Sequence, residues 1–403
     1  MLIVKKFGGS SVANKDRVMN VANRIIEDYK AGHQVIVVLS AQGGTTDILL
    51  EKAREITDKP SKREMDVLLT TGEQQSVALM AMAIESLGYP AVSLHAGQVG
   101  MITTSTYSNA RLESISRDRI EMELERKNIV IVTGFQGINK YDDYTTLGRG
   151  GSDTTAVALA ASLDADRCEI YTDVDGVYTA DPRVVKDARK LEDITYDEML
   201  ELASLGAKVL HNRSVEMAKK YGVELVVRSS LTRAEGTIVK EECKVEKMLV
   251  SGVAADKDVA RIAVVGIKDL PGNAFKLFSL LSKKSINVDI ILQSVGRDGT
   301  KDISFTVHRD SKDEALEILN HHLERLSAIR VESDDNVAKI SLVGAGMASN
   351  AGVATKLFES LYDAGINIKM ISTSEIKISV LVNMDDADDA VRAVHNGFKL
   401  SGN

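Results

Sequence analysis

The sequence predicts an α/β protein: a mainly parallel sheet sandwiched by helices, followed by two small ferredoxin-like βαββαβ modules. Three observations carry this. Continuous apolar runs alternate with longer helical stretches over the first 240 residues, the texture changes near residue 245, and the rest of the chain repeats itself. QVIVVLSA (34–41), IVIVTGF (129–135), CEIYTDV (168–174) and VELVVRSS (223–230) are the apolar runs, as expected of strands buried on both faces of a parallel sheet. QQSVALMAMAIESLG (74–88) and TTAVALAASLDA (154–165) read as helices between them. Such alternation places helices on both faces of the sheet, and binding sites at the carboxyl ends of its strands. LSAQGGTT, TGFQGIN and YTDVDGVYTADPR all fall there.

In the second part RIAVVGI (261–267) is echoed by KISLVGA (339–345), and DISFTV (302–307) by KISVLV (377–382). KLF at 276–278 returns at 356–358, and INVD at 286–289 is answered by INIK at 366–369. Each unit reads strand, helix, strand, strand, helix, the order of a βαββαβ module. The second unit ends soon after its last helix, and the strand-like MLVSGV (248–253) is available to complete it. The expected boundaries are 1–245 for the first domain, 261–335 for the first module, and 336–403 with a strand from 246–256 for the second. Lying outside the phosphate-type motifs, the paired modules point to regulation or dimerisation.

Composition limits the alternatives. The chain has 403 residues, 44% hydrophobic and 27% charged, in the range of a water-soluble globular protein. A net charge of −8 and the lack of a dense Lys/Arg run argue against nucleic acid as a partner. No apolar run reaches the length of a membrane span, and the N-terminus runs directly into strand-like sequence. Cys168 and Cys243 lie far apart, outside any metal-type spacing, and read as buried thiols of a reducing compartment. A cytoplasmic protein is expected, free of membrane contact. The seven histidines show no ligand spacing and read as structural or surface residues.

Two stretches carry chemistry. LIVKKFGGSS (2–11) runs an apolar strand into Lys6, Gly8 and Gly9, with Ser10 and Ser11 placed to cap a following helix. A Walker loop sets its lysine after the glycines, and no stretch here has that order. Phosphate binding and a plain strand-to-helix turn both fit these ten residues. TTLGRGGSDTTAVALA (145–160) surrounds Arg149 with glycines and opens an apolar helix with Ser152 and Asp153. A helix N-terminus attracts anions, and a guanidinium suits a carboxylate or phosphate. Simple capping accounts for Ser152 or Asp153, yet it does not call for G-R-G-G.

KFGGSS, LLTTGE (68–73), GRGGSDTTA (148–156) and YTDVDGVYTADPR (171–183) occur in the order seen in aspartate kinases. The chain resembles this family of the amino acid kinase superfamily over essentially its whole length, with two ACT-type regulatory modules behind the kinase domain. The resemblance implies ATP-dependent phosphorylation of the β-carboxylate of L-aspartate to 4-phospho-L-aspartate, the entry step to lysine, threonine and methionine synthesis. Lys6 would reach the transferred phosphoryl group, with Phe7, Gly8 and Gly9 beneath the phosphates and Mg²⁺ accompanying ATP. Asp153 would organise the lysine and the metal. Tyr171, Thr172, Val177, Tyr178, Thr179, Ala180, Asp181, Pro182 and Arg183 would line the nucleotide, and Lys208 would lie near the phosphates.

For aspartate, Arg149 and the amides around Gly150, Gly151 and Ser152 would hold a carboxylate and Glu73 the ammonium, with Ser40, Thr45 and Thr46 as further polar contacts. Turn chemistry remains an alternative for those three, and a first-turn acid favoured by the helix dipole remains one for Glu73. A kinase acting on glutamate, acetylglutamate or a nucleotide is the nearest rival function; a catalytically silent amino-acid sensor is a rival of another class. Lysine or threonine, or both, would act as effectors on the modules, in at least a homodimer. KDLPGNAF (268–275) offers free amides ahead of a helix for an effector carboxylate, with Asp269, Asn273 and Ala274 in it. Asp289 would take the effector's ammonium, which its counterpart Lys369 cannot do; Gln293, Asn367 and Ile368 complete the expected set.

Overall fold

A computed structural model describes residues 1–203, 209–241, 249–294, 299–347, 350 and 352–402. Lys208, Cys243 and Met248 lie outside the described residues. The chain divides into two compact units, the first built on Met1–Val177 with the described residues of 190–241, the second on Tyr178–Arg189 with those from 249 onward.

The first unit runs β1 (Leu2–Phe7), α1 (Lys15–Lys30), β2 (Gln34–Leu39), α2 (Thr45–Ile56), α3 (Lys62–Ser86), β3 (Ala91–Leu94), β4 (Ile102–Thr103), β5 (Leu112–Ser114), α4 (Asp118–Glu125), β6 (Ile129–Thr133), β7 (Gln136–Ile138), β8 (Tyr144–Thr146), α5 (Gly151–Ser162) and β9 (Arg167–Thr172), then β10 (Asp193–Thr195), α6 (Tyr196–Leu202), α7 (Asn212–Tyr221), β11 (Leu225–Ser229) and β12 (Thr237–Lys240). Its main sheet has the order β10-β12-β11-β9-β1-β2-β6-β3. All neighbours are parallel except β11 and β12. The four continuous apolar runs of the sequence are β2, β6, β9 and β11. Because both faces of these strands are covered, no polar alternation is needed. A second sheet, β5-β4-β7-β8, has strands of two or three residues. Helix α5 is buried at every position from Gly151 to Ala160, as its lack of a polar face requires.

The second unit runs β13 (Gly252–Asp256), β14 (Val259–Lys268), α8 (Asn273–Ser282), β15 (Val288–Gln293), β16 (Thr300–His308), α9 (Lys312–His321), α10 (Leu323–Leu326), β17 (Arg330–Asp334), β18 (Val337–Val343), α11 (Val353–Asp363), β19 (Met370–Thr373), β20 (Lys377–Asn383) and α12 (Ala387–Gly397). Two antiparallel four-stranded sheets form, β15-β16-β14-β17 and β13-β18-β20-β19. The strand before the first module lies beside the second: β13 pairs with β18 from Gly252↔Val343 to Asp256↔Lys339, taking the place that β17 has beside β14. Val259 and Ile290 of the first module share a small core with Val337, Met370 and Leu381 of the second.

Tyr178–Arg189, counted by the sequence reading within the span 1–245, belongs to the second unit. Ala180 and Val185 join the core of Val253, Leu357 and Val394, and Val253 N donates to Thr179 O at 2.8 Å. The segment's apolar side chains find their partners there. No helix among the described residues is long and apolar enough to cross a membrane.

Candidate functional site

Consecutive strand residues face opposite sides of a sheet, so the two lysines of β1 part company. Lys5 turns toward α1. It is buried against Glu169, its register neighbour on β9, at 2.8 Å, and also pairs with Asp28 of α1. Burial alone would raise the Glu169 carboxyl; the charge and hydrogen bond of Lys5 reverse this and hold it at about 2. Lys6 turns toward α5. Its Nζ lies 2.7 Å from Asp153 Oδ1, both side chains being nearly buried. Asp153 stands in the first turn of α5, where the helix dipole favours an anion. Gly150 caps that helix at φ +71°, a conformation that favours glycine.

The loops leaving β1 and β2 are joined by hydrogen bonds, from Ser40 N to Phe7 O at 3.2 Å and from Gly43 N to Gly9 O at 3.0 Å. A β-carbon on Gly9 would come within 2.5 Å of Ala41 O, so this approach requires glycine. Ser40 Oγ donates to Ser152 Oγ at 3.0 Å, linking the end of β2 to the start of α5. The Ala41 amide donates to Glu73 Oε1 at 3.1 Å. Burial pushes the Glu73 carboxyl up to about 7, against the pull of that amide. Thr45 opens α2 next to Gly44, and Thr46 beside it is exposed. Arg149 is exposed and has no ion pair among the described residues, which leaves its guanidinium available. Lys6, Ser40, Ser152, Asp153 and Glu73 are thus knit together where β1 and β2 end and α5 begins.

The nucleotide stretch divides. The rings of Phe7 and Tyr171 stack at 4.4 Å inside the core under α1 and α3, so only their backbone is free to meet a ligand. Thr172 is half-buried, its hydroxyl donating to Asp173 Oδ1. Val177 is held by its amide on Thr237 Oγ1 at 2.9 Å. The remaining six positions lie in the second unit. Thr179 is fully buried, its hydroxyl 3.0 Å from His395 Nε2. Ala180 is core, whereas Asp181 and Arg183 form an ion pair at 2.7 Å beside exposed Pro182. The side chains of Thr179 and Ala180 are therefore committed to packing rather than to a nucleotide.

Among the residues expected to meet an effector, Asp289 is already engaged: Lys339, nearly buried, pairs with it and, at 3.6 Å, with Asp256. Lys369 pairs with Asp334 at 2.8 Å, so the first module's acids meet the second module's lysines twice. An effector's ammonium at Asp289 must displace Lys339. Asn273 is buried, donating to Lys268 O, and Asp269 pairs with Lys301 at 2.8 Å. Ala274, Gln293 and Asn367 are exposed and Ile368 is half-buried.

Sequence reasoning passed over Lys5, and with it Asp66 and Arg213, two groups that hold the chain beside Arg149. A signal existed for Asp66: it stands seven residues before Glu73, on the same face of α3.

A model of the amino acid kinase family matches residues 1–229, and one of the ACT domain matches 262–323 and 340–398. An aspartokinase of Corynebacterium glutamicum is 52% identical over 407 residues, covering 100% of this chain and 97% of its own. One from Bacillus sp. strain MGA3 is 50% identical over 402 residues, covering 100% and 98%. E. coli aspartokinase III, solved in complex with aspartate and ADP (R-state), is similar with a TM-score of 0.81 at 27% identity, over 98% of this chain and 99% of its own. The same protein with lysine and aspartate (T-state) gives 0.78 at 28%, over 98% and 99%.

Proposed function

The chain belongs to the aspartokinases of the amino acid kinase family, and from that premise we propose how its residues carry the ATP-dependent phosphorylation of L-aspartate. An oxygen of the β-carboxylate attacks the γ-phosphorus of ATP as the bond to the β–γ bridging oxygen breaks, giving 4-phospho-L-aspartate and ADP. The acceptor is already ionised at neutral pH, so no general base is required. Such transfers pass through a loose transition state and depend on positioning and charge neutralisation.

The observation that carries this reading is the 2.7 Å pair of Lys6 and Asp153 at the mouth of β1. Lys6 neutralises the phosphoryl oxygens while Asp153 fixes its direction. Arg149 with the Gly150, Gly151 and Ser152 amides takes one carboxylate of aspartate, Glu73 the ammonium, and Ser40, Thr45 and Thr46 line the same space. The backbone at Phe7–Gly9 and Tyr171–Val177 receives the nucleotide. A magnesium ion that travels with a triphosphate keeps several waters and takes one or two protein carboxylates. Asp153, a nearly buried carboxylate beside a lysine, fits that donor set and would hold it; when bound, the ion offsets charge on the β- and γ-phosphates.

We also propose feedback inhibition by lysine, threonine or both through the paired modules, acting at Asp289 and its neighbours. The lysine-bound T-state of the E. coli relative supports this reading. Edge strand β15 exposes Ile291 and Leu292, which favours a homodimer through the modules. The product would feed lysine, threonine and methionine synthesis in the cytoplasm. Trapping the acyl phosphate with hydroxylamine tests the main assignment. Hydroxamate should form from aspartate and ATP; no product, or faster turnover of glutamate, overturns it.

A further inference from the structure

A buried carboxylate and a half-buried guanidinium bracket the chain that carries Arg149 without being part of it. Asp66 on α3 is fully buried with no ion pair among the described residues; four donors satisfy it instead. Thr146 N and Oγ1 donate to it at 2.9 and 2.8 Å, Ser108 N and Oγ at 2.8 and 3.3 Å. Arg213 on α7 does the complementary work: Nη1 donates to Leu147 O and Nη2 to Ala110 O, both at 3.0 Å. The anion collects the N–H groups and hydroxyls of the segments 108–110 and 146–147, and the cation collects their carbonyls. Ala110 N closes the join on Thr146 O at 2.8 Å. The chain enters GRGG directly from this joint. There Gly148 (φ +78°) has Ser108 O only 3.2 Å from where a β-carbon would sit, and Gly150 is covered by the ring of His211, which caps α7.

We propose that Asp66 and Arg213 are positioning residues for the substrate carboxylate, setting where Arg149 stands. Asp66 and Glu73 lie two turns apart on one face of α3. A single rigid helix therefore carries the ammonium acceptor directly and fixes the carboxylate donor through the joint. The distance between the two readers of the amino acid is set by that helix rather than by the exposed loop. This rests on the assignment of Arg149 and Glu73 to aspartate given above.

The test compares Asp66→Asn, Arg213→Gln and Arg149→Ala by aspartate KM, ATP KM, kcat and thermal unfolding. In Asp66→Asn an amide faces donors that a carboxylate accepted from, while volume is kept. Misplacing a positioning group commonly costs tenfold or more. Each of the three variants should raise aspartate KM by about tenfold or more, with ATP KM little changed. Combining Arg149→Ala with Arg213→Gln should add no further rise, because a brace has no effect once the group it positions is gone. A merely structural role predicts parallel losses in both KM values and additive effects. If Arg149→Ala raises aspartate KM and neither brace variant does, the brace is overturned alone. If Arg149→Ala leaves it unchanged, the assignment of Arg149 falls and the brace with it. Should Asp66→Asn fail to fold, Arg213→Gln and the double variant decide the matter unaided.

Discussion

The Ala41 amide donates to Glu73 Oε1 at 3.1 Å, while the other oxygen of that carboxylate is buried without a hydrogen-bond partner among the described residues. The site thus holds a carboxyl that titrates near 7 and awaits a donor. On the proposed assignment a substrate ammonium would supply one, and only the ionised form can pair with it.

Aspartate affinity should accordingly weaken as pH falls through about 7. In the ligand-free protein the sign for stability is the opposite. Between the ordinary carboxyl value of 4.5 and about 7 the folded state holds a proton that the unfolded chain lacks, so stability declines as pH rises across that window. The total is at most roughly 3 kcal/mol. Glu73→Gln should therefore raise the melting temperature of the free protein near pH 8 while increasing aspartate KM. Thermal scans and aspartate titrations across pH check this; a pH-independent KM together with an unstabilised glutamine variant would refute it.

Lys6→Ala should lower kcat by about a hundredfold or more, the usual cost of losing one preorganised charge contact. It should also destabilise the fold, since Asp153 is left nearly buried with no cation at 2.7 Å; about 1–3 kcal/mol is expected for an abandoned partner. Turnover measured beside denaturant unfolding separates the two effects. Retention of more than about a tenth of kcat would remove Lys6 from catalysis.

Asp289→Ala should abolish inhibition by lysine or threonine and leave uninhibited turnover near normal. It also strands Lys339 with Asp256 at 3.6 Å as its remaining acid, so the second unit should melt earlier. Effector titrations with wild-type and variant protein decide it: undiminished inhibition in the variant places the effector elsewhere.

His395 is fully buried against Thr179, and burial lowers its imidazole pKa, Asp187 opposing the effect weakly. The unfolded chain takes up a proton that the folded one resists, so stability of the second unit is lost as pH falls below 6.5. Hydrogen exchange of α12 should speed up on going from about pH 7.5 to about pH 5.5, and His395→Gln should flatten that dependence. Equal acceleration in both proteins would disprove the link to this ring.

The central strands were legible because β2 and β6 are apolar at all but one position and β9 and β11 carry the apolar clusters Ile170–Tyr171 and Leu225–Val227, a pattern short loops do not produce. The duplicated modules were legible from strings such as KLF and INVD/INIK, and the module left one strand short pointed to β13. The small sheet of β4, β5, β7 and β8 was not, since two or three residues carry no periodicity. Lys6 and Asp153, which pair at 2.7 Å, were singled out by their glycine-rich settings. Arg213 was missed because it acts on backbone carbonyls 66 and 103 residues away, which leave no mark in a sequence; Asp66, whose partners are 42 and 80 residues away, was marked only by its spacing to Glu73. Phe7, Tyr171 and Thr179 were assigned to the nucleotide although packing claims their side chains. A motif fixes where its backbone runs, not which way each side chain turns.

The pairing of β13 with β18 has a consequence for how the polypeptide is made. On a ribosome β13 emerges first, then the whole first module from Val259 to Asp334, and only afterwards the strand it joins. The first module closes on contacts within its own stretch and can form during elongation, whereas β13 must wait roughly 80 residues for a partner. Until β18 is synthesised, β13 is an unpaired strand, the kind of edge that recruits other chains. Translation arrested after Asp334 would release a product with a finished first module and one adhesive strand, a natural target for chaperones and proteases. Cutting back the C-terminus should for the same reason harm solubility well beyond the residues removed.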